Sequence, residues 1–290
     1  MAKILYAKPI VELSNDELKK KAESLISDGI TPRLDVILVG NNPASQRYVR
    51  NKKKRAESLG AICNIHHLDE NVSKEEFLKI VSEVQEDSKV HGCFIQLPLP
   101  KQLASIDTHS LIRADKDVDG FHPYNSCSAF SGENLDNHLI ACTPGGVIDM
   151  LDHYNYELEG KKVLVIGRSM IVGRPVAMLC LARNATVTLC HSRTKDLAAE
   201  TKQADIIISA IGKANFLDKS FLNDRKDQVI IDVGINLDEN GKLVGDLKKE
   251  DMEEYAGAYS PVPGGVGPMT INSLMKNLFK AAEKLNESKN

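Results

Sequence analysis

The sequence carries no excess of either charge: 37 basic residues face 40 acidic ones, a net charge of −3. A broad basic field for nucleic acid and an acidic tail are both missing, so nucleic acid is not an expected partner and small molecules are. No apolar run approaches the roughly 20 residues of a membrane-spanning helix, and no membrane partner is expected. No cleavable leader opens the chain, which points to the cytoplasm. Six cysteines at 63, 93, 127, 142, 180 and 190 include no CxxC pair, and the eight histidines show no HxxxH or HExxH spacing. His66 and His67, being adjacent, would face opposite sides of a strand. Buried reduced thiols are expected, and no metal site. No internal repeat or low-complexity tract is evident.

What the chain does have is room for two domains of ordinary size in its 290 residues, and the stretch VLVIGRSMIVGRP at 163–175. Val163 to Ile166 read as a strand buried on both faces of a parallel sheet. Gly167, Arg168 and Ser169 form the turn, and a helix starting near Ile171 and continuing through Val172 and Gly173 would aim its free N–H groups at a pyrophosphate. The alternative is an ordinary strand, turn and helix with glycines for packing. The next strand, Ala185 to Cys190, ends in His191, Ser192 and Arg193 and not in the Asp or Glu that binds a ribose 2′-hydroxyl. A cation and a hydroxyl suit a 2′-phosphate, so the expected cofactor is NADP, with Arg168 and Arg193 as charge partners.

Before this unit the order is helix, strand, helix, strand, helix, strand. Ser14 and Glu17 suggest a capping box, Leu34–Val39 a strand, and Asn42 with Pro43 a helix to about Leu59. Strand Ala61–Leu68, a helix from the capping box Ser73–Glu76, strand Gly92–Leu97 and a short helix over Ile106–Ile112 follow. On the helix after Asn42, Tyr48 and Lys52 share a face, although a solvated basic helix is the usual reading of such a run. Gln96 ends a strand at the edge where open α/β sheets bind ligands. Asp119 precedes Gly120 and is either a carboxylate aimed into a cleft or a turn residue.

Residues 126–141 lack periodicity and serve as a crossing. Thr143 and Pro144 start a helix, with Thr143 as its cap. A helix over Lys195–Lys202, strands Asp205–Ala210 and Val229–Val233, and a small hairpin between Ile235 and Val244 complete the second domain. PVPGGVGPMT at 261–270 either turns the chain or lets backbone amides approach a ligand. A last helix from Thr270 to about Leu285 can pack back on the first domain. The expected division is therefore 1–140 with 270–290, and 141–269: an α/β substrate domain and a Rossmann-like domain.

Six strings, YVRNK (48–52), IQLPLP (95–100), DKDVDGFHP (115–123), CTPGG (142–146), GRSMIVGRP (167–175) and PVPGGVGPMT (261–270), together resemble the bifunctional methylenetetrahydrofolate dehydrogenase/cyclohydrolase family. The resemblance implies two α/β domains around a cleft, folate on the N-terminal side, NADP on the C-terminal side, and a homodimer. It implies that Tyr48 stacks on folate, Lys52 is the catalytic lysine, Gln96 between Ile95 and Leu97 holds it, and Asp119 binds the pterin's polar edge. Pro263, Gly264, Gly265, Val266 and Gly267 would line the same pocket, while Thr143, Gly167 to Ser169, Ser192 and Ile235 would meet the cofactor. Hydride transfer needs two rings held at near-attack distance and no acid or base. Hydrolysis of the methenyl product does need a proton acceptor, and a neutral Gln96 would orient the lysine amine without a counter-charge. The rival readings are another two-domain NADP dehydrogenase, of the shikimate or amino-acid type, and a nucleotide-binding regulator without catalysis.

Overall fold

The computed structural model describes residues 1–287. In chain order the elements begin with β1 (Lys3–Ile4), α1 (Lys8–Ser27), β2 (Arg33–Val39), α2 (Pro43–Ser58), β3 (Ile62–Leu68), α3 (Lys74–Glu86) and β4 (Gly92–Ile95). There follow α4 (Pro123–Ser131), α5 (Cys142–His153), β5 (Lys162–Ile166), α6 (Gly173–Ala182), β6 (Thr186–Cys190), α7 (Leu197–Lys202), β7 (Ile206–Ser209) and β8 (Val229–Asp232). The chain closes with β9 (Asn236–Leu237), β10 (Leu243–Val244), α8 (Lys249–Tyr255), β11 (Ala258–Tyr259) and α9 (Val266–Glu287). None of the described helices is long and apolar enough to cross a membrane.

Two compact units form. One comprises residues 13–127, 135–142 and 274–287. Its sheet has the order β3-β2-β4, all parallel. The central strand alternates as a two-residue period requires. Leu34, Val36 and Leu38 pack with Val49 and Ala56 of α2 and Leu274 and Leu278 of α9. Ile37 and Val39 face Phe77, Val81 and Val84 of α3. Helices thus cover both faces, the usual condition for a parallel sheet. Alongside β4 runs the segment 116–120, joined by the Cys93–Asp117 bridge. A Cβ on Gly92 would lie 2.3 Å from Val118, so the approach depends on glycine. Asn277 of α9 pins the same segment by donating to Val118 O and Ile140 O.

The other unit comprises residues 1–12, 128–134 and 143–273. Its six strands run parallel in the order β1-β11-β8-β7-β5-β6. β7 and β8 are buried throughout, and β5 beyond its first residue. The first 12 residues therefore differ from their expected place: β1 adds to this sheet through β11. Two-residue strands carry no periodicity from which a sequence could announce them.

Four local expectations also need correction. Helix α1 starts at Lys8 with Pro9 in its first turn, so Ser14 lies within the helix and does not cap it. β4 stops at Ile95. No helix forms over Ile106–Ile112, where Asp107 closes a turn by accepting from His109 N and Ser110 Oγ. Helix α4 appears instead over residues expected to be irregular. The caps at Asn42 and Ser73 form as the sequence indicates.

Candidate active site

Helix α2 begins where Asn42 Oδ1 accepts Ala44 N and Ser45 N, with Pro43 in the first turn. Its buried stripe is Ser45, Val49, Lys52 and Ala56. A lysine in that stripe is the anomaly, since its neighbours Lys53 and Lys54 stay at least partly in solvent. Lys52 is 3% exposed. Its Nζ lies 3.7 Å from the centroid of Phe94, 4.8 Å from that of Tyr48, and 3.5 Å from Asp119 Oδ1. The ammonium thus has two ring faces and one carboxylate around it. Phe94 was not among the expected site residues; its signal is that it stands two positions before Gln96, on the same face of the strand.

Asp119 is free to face Lys52 because Asp117 does the work of the turn. Asp117 Oδ1 accepts Gly120 N, and Oδ2 accepts His122 N and Asn125 Nδ2. Burial pushes the Asp117 carboxyl above the usual range. Gly120 follows at φ +77°, where a Cβ would lie 2.4 Å from Ala141 N. Cys142 N donates to Asp119 O and fixes its backbone.

Gln96 is placed at the end of β4, its N–H on Ile37 O, but it does not hold Lys52. Its Nε2 donates to Leu97 O at 2.8 Å, and the amine's ion pair is with Asp119. Oε1 is buried with no hydrogen-bond partner among the described residues, so an acceptor stands ready for an incoming donor. The Ile95 side chain joins the core on the α3 side, and that of Leu97 is exposed.

In the six-stranded unit the registers Ile166↔Cys190, Ile166↔Ser209 and Ser209↔Asp232 bring the carboxyl ends of β5, β6, β7 and β8 into line. Residues 167–169, 191–193, 210–213 and 233–236 therefore leave the sheet along one edge, the ligand-binding edge of such sheets. Gly167 has φ +126°, and its Cβ would lie 2.4 Å from Ala210 O; a Cβ on Gly173 would lie 2.2 Å from Gly167 O. Both glycines are required by close packing of strand, turn and helix.

Helix α6 starts at Gly173, two residues after the expected point. Ile171 and Val172 belong to the turn, and Ser169 sits beneath it. Ser169 Oγ accepts Val172 N and Gly173 N, while Ser169 O accepts Arg174 N. The first N–H groups of the helix are thus taken by the loop and not held free for a pyrophosphate. After β6, His191 N donates to Thr194 Oγ1 and His191 Nδ1 accepts Arg193 N. That closed turn leaves Ser192 and Arg193 exposed, as Arg168 is. Ile235 is 64% exposed after β8. Exposed cations beside a glycine turn fit a phosphorylated dinucleotide.

Thr143 does not cap α5; its Oγ1 pairs with Thr270 Oγ1 of α9 at 3.0 Å. In the 263–267 loop, Pro263 is exposed and Gly264 takes φ +104° while its O accepts Ala7 N. A Cβ on Gly265 would meet Pro261 O at 2.5 Å, and Val266 is buried at the start of α9. Only Gly267 of the three glycines has open space where a side chain would stand.

Residues 5–119 match the family model described as tetrahydrofolate dehydrogenase/cyclohydrolase, catalytic domain, and residues 141–286 match its NAD(P)-binding domain. The bifunctional protein FolD of Listeria innocua is 45% identical over 98% of this chain and 99% of its own length. The crystal structure of the bifunctional FolD enzyme from Campylobacter jejuni superposes with a TM-score of 0.93 at 42% identity, covering 98% of this chain and 99% of that one. The FolD of Trypanosoma brucei, solved with NADP cofactor and an inhibitor, gives 0.91 at 31% identity, covering 98% of each chain.

Proposed function

Because the chain belongs to the tetrahydrofolate dehydrogenase/cyclohydrolase family, we propose that it oxidises 5,10-methylenetetrahydrofolate to 5,10-methenyltetrahydrofolate with NADP. It then hydrolyses that product to 10-formyltetrahydrofolate. The observation that carries the second reaction is Lys52, buried against Phe94 and Tyr48 with Asp119 at 3.5 Å. A shikimate-type dehydrogenase or a regulator without catalysis would give no reason for that cluster.

NADP supplies the acceptor for the hydride that leaves the one-carbon bridge. The residues of this chain bind and orient. Tyr48 offers a ring face to the pterin, and Asp119 accepts from the N–H donors on its polar edge. When the pterin takes the Asp119 carboxylate, Lys52 Nζ is left facing the reacting carbon between the rings of Phe94 and Tyr48. Lys52 then accepts one proton of the water adding to the methenyl carbon and returns it to the nitrogen released as the ring C–N bond breaks, while the proton of the added hydroxyl leaves to solvent as the formyl C=O forms. Gln96 Oε1, buried and unpaired among the described residues, accepts from the amine or the substrate. Within the three-stranded unit, the backbone of Ile95 and Leu97 flanks Gln96 in the folate pocket.

On the NADP side, Gly167, Arg168, Ser169, Ile171, Val172 and Gly173 form one wall, with Thr143 and Ile235 contributing further contacts. His191 shapes the turn that presents Ser192 and Arg193 to the 2′-phosphate, with Arg168 as the second cation. The reading includes the cytoplasm, which suits six unpaired cysteines, and a two-fold homodimer, the commonest closed assembly. A sedimentation mass near twice 31.9 kDa would support the dimer.

The test is a spectrophotometric assay of the purified protein with methylenetetrahydrofolate and NADP. NADPH and the methenyl product should appear together, and the methenyl absorbance should then decay faster than without protein. No NADP-dependent change on adding the folate would overturn the proposal.

A further inference from the structure

Asp246 is completely buried and accepts five hydrogen bonds. Oδ2 takes Ser209 Oγ at 2.9 Å, Ile211 N at 2.8 Å and Gly212 N at 3.3 Å. Oδ1 takes Lys213 N at 2.9 Å and Asn236 Nδ2 at 3.1 Å. Most of these donors belong to the two segments that leave the sheet after β7 and after β8, on the edge that carries the dinucleotide turn. One carboxylate therefore holds both segments at a fixed height above the strands.

A second buried carboxylate seats the first. Asp232, the last residue of β8, accepts Gly234 N at 2.9 Å, Asp246 N at 3.0 Å and Leu247 N at 3.1 Å. The fit leaves no slack: a Cβ on Gly234 would stand 2.1 Å from Asp246 Oδ1, and one on Gly245 would stand 1.9 Å from Asp232 Oδ2. Two buried carboxylates side by side are an expensive way to close a turn, because both have to be taken out of water. What they achieve is a run of three successive amides, 211 to 213, gathered on one side chain.

We propose that Asp246, seated by Asp232, is a positioning residue for the dinucleotide: it sets the segments after β7 and β8 and through them the affinity for NADP. This rests on the NADP reading above. Neither carboxylate needs to touch the cofactor, and neither takes part in the hydrolytic step.

The test measures three quantities on the intact enzyme: KM for NADP, kcat for NADPH formation, and the rate of methenyltetrahydrofolate hydrolysis without NADP. Asp246→Asn replaces an acceptor of several N–H groups by an amide that must turn its own N–H₂ toward them. Its KM for NADP should rise about tenfold while hydrolysis keeps its wild-type rate. Asn236→Ala removes only the tie to the second segment, leaves the core untouched, and should raise that KM about threefold. If Asp246→Asn does not fold, the Asn236→Ala variant decides. An unchanged KM for NADP, or a parallel fall of NADPH formation and hydrolysis at constant KM, would mean that the clasp is structural only. A wild type that hydrolyses the methenyl substrate but neither binds nor reduces NADP would sink the NADP reading, and this proposal with it. An active wild type with unaffected variants sinks this one alone.

Discussion

The three-stranded unit and the six-stranded unit put their chemistry in different parts of the chain. In the first, side chains do it: Lys52 lies in a buried helical stripe, with Phe94, Tyr48 and Asp119 around its amine. In the second, what matters is where backbone runs. Gly167 and Gly173 let strand, turn and helix touch, Ser169 gathers the first amides of α6, and Asp246 gathers the amides after β7. A reaction that must move a proton needs a titrating group at one point, whereas a dinucleotide is held along its length by many weak contacts. The two units therefore should fail differently when altered.

The largest effect is expected at Lys52. Lys52→Met should slow methenyl hydrolysis by about 10²- to 10⁴-fold, the usual worth of a positioned acid–base group, while folate still binds. Hydrolysis near the wild-type rate would remove Lys52 from the mechanism. Next comes Asp119→Ala, which should weaken folate binding by about 1–3 kcal/mol, the cost of leaving polar donors without their charged acceptor. An unchanged affinity in a calorimetric titration would leave Asp119 a turn residue.

Gly173→Ala examines the other unit. Its added methyl meets Gly167 O at 2.2 Å, so a loss of about 1–3 kcal/mol in stability is expected, with the NADP site distorted. A melting temperature equal to the wild type would show that the turn has room. Arg193→Ala, at an exposed position, should lower the preference for NADP over NAD by only about 0.5–1 kcal/mol. A preference that rises or stays constant would remove Arg193 from the 2′-phosphate site.

A separate effect is expected on the pH dependence of stability. Burial, with Asp246 beside it, pushes the Asp232 carboxyl up to about 7, against three backbone N–H bonds that lower it. The folded state then holds a proton that the unfolded chain releases near pH 3.8, so Asp232's contribution to stability falls as pH rises from there to about 7. The stability of the wild type relative to Asp232→Asn should decline across that window in urea titrations. A rising difference would reverse the sign and contradict the assignment.

How far the sequence could be read follows the same division. The caps at Asn42 and Ser73 and the strand runs of β2 and β5 were legible because each is a local signal of a few residues. Lys52 and Asp119 were legible through the strings around them. Phe94 was passed over because its role depends on a helix 40 residues earlier in the chain lying against its ring. β1 and β11 are too short to show a period, and the stretch at 106–112 reads as a helix until Asp107 turns it. Asp246 follows a glycine just past the β9–β10 hairpin, like many turn residues, and only the fold brings it to Ile211 and Asn236. The Gln96 amide illustrates the limit: its place at the end of β4 was predictable, but not that Nε2 would donate to Leu97 O and Oε1 be left without a partner among the described residues.

The most direct test is a crystal structure of the protein with NADP and a non-reactive folate analogue bound. The pterin's N–H donors should lie on the Asp119 carboxylate, with Lys52 Nζ turned from it toward the one-carbon bridge at roughly 3–3.5 Å. Finding Asp119 still paired with Lys52 while the pterin binds elsewhere, or the amine directed into bulk solvent, would contradict the account.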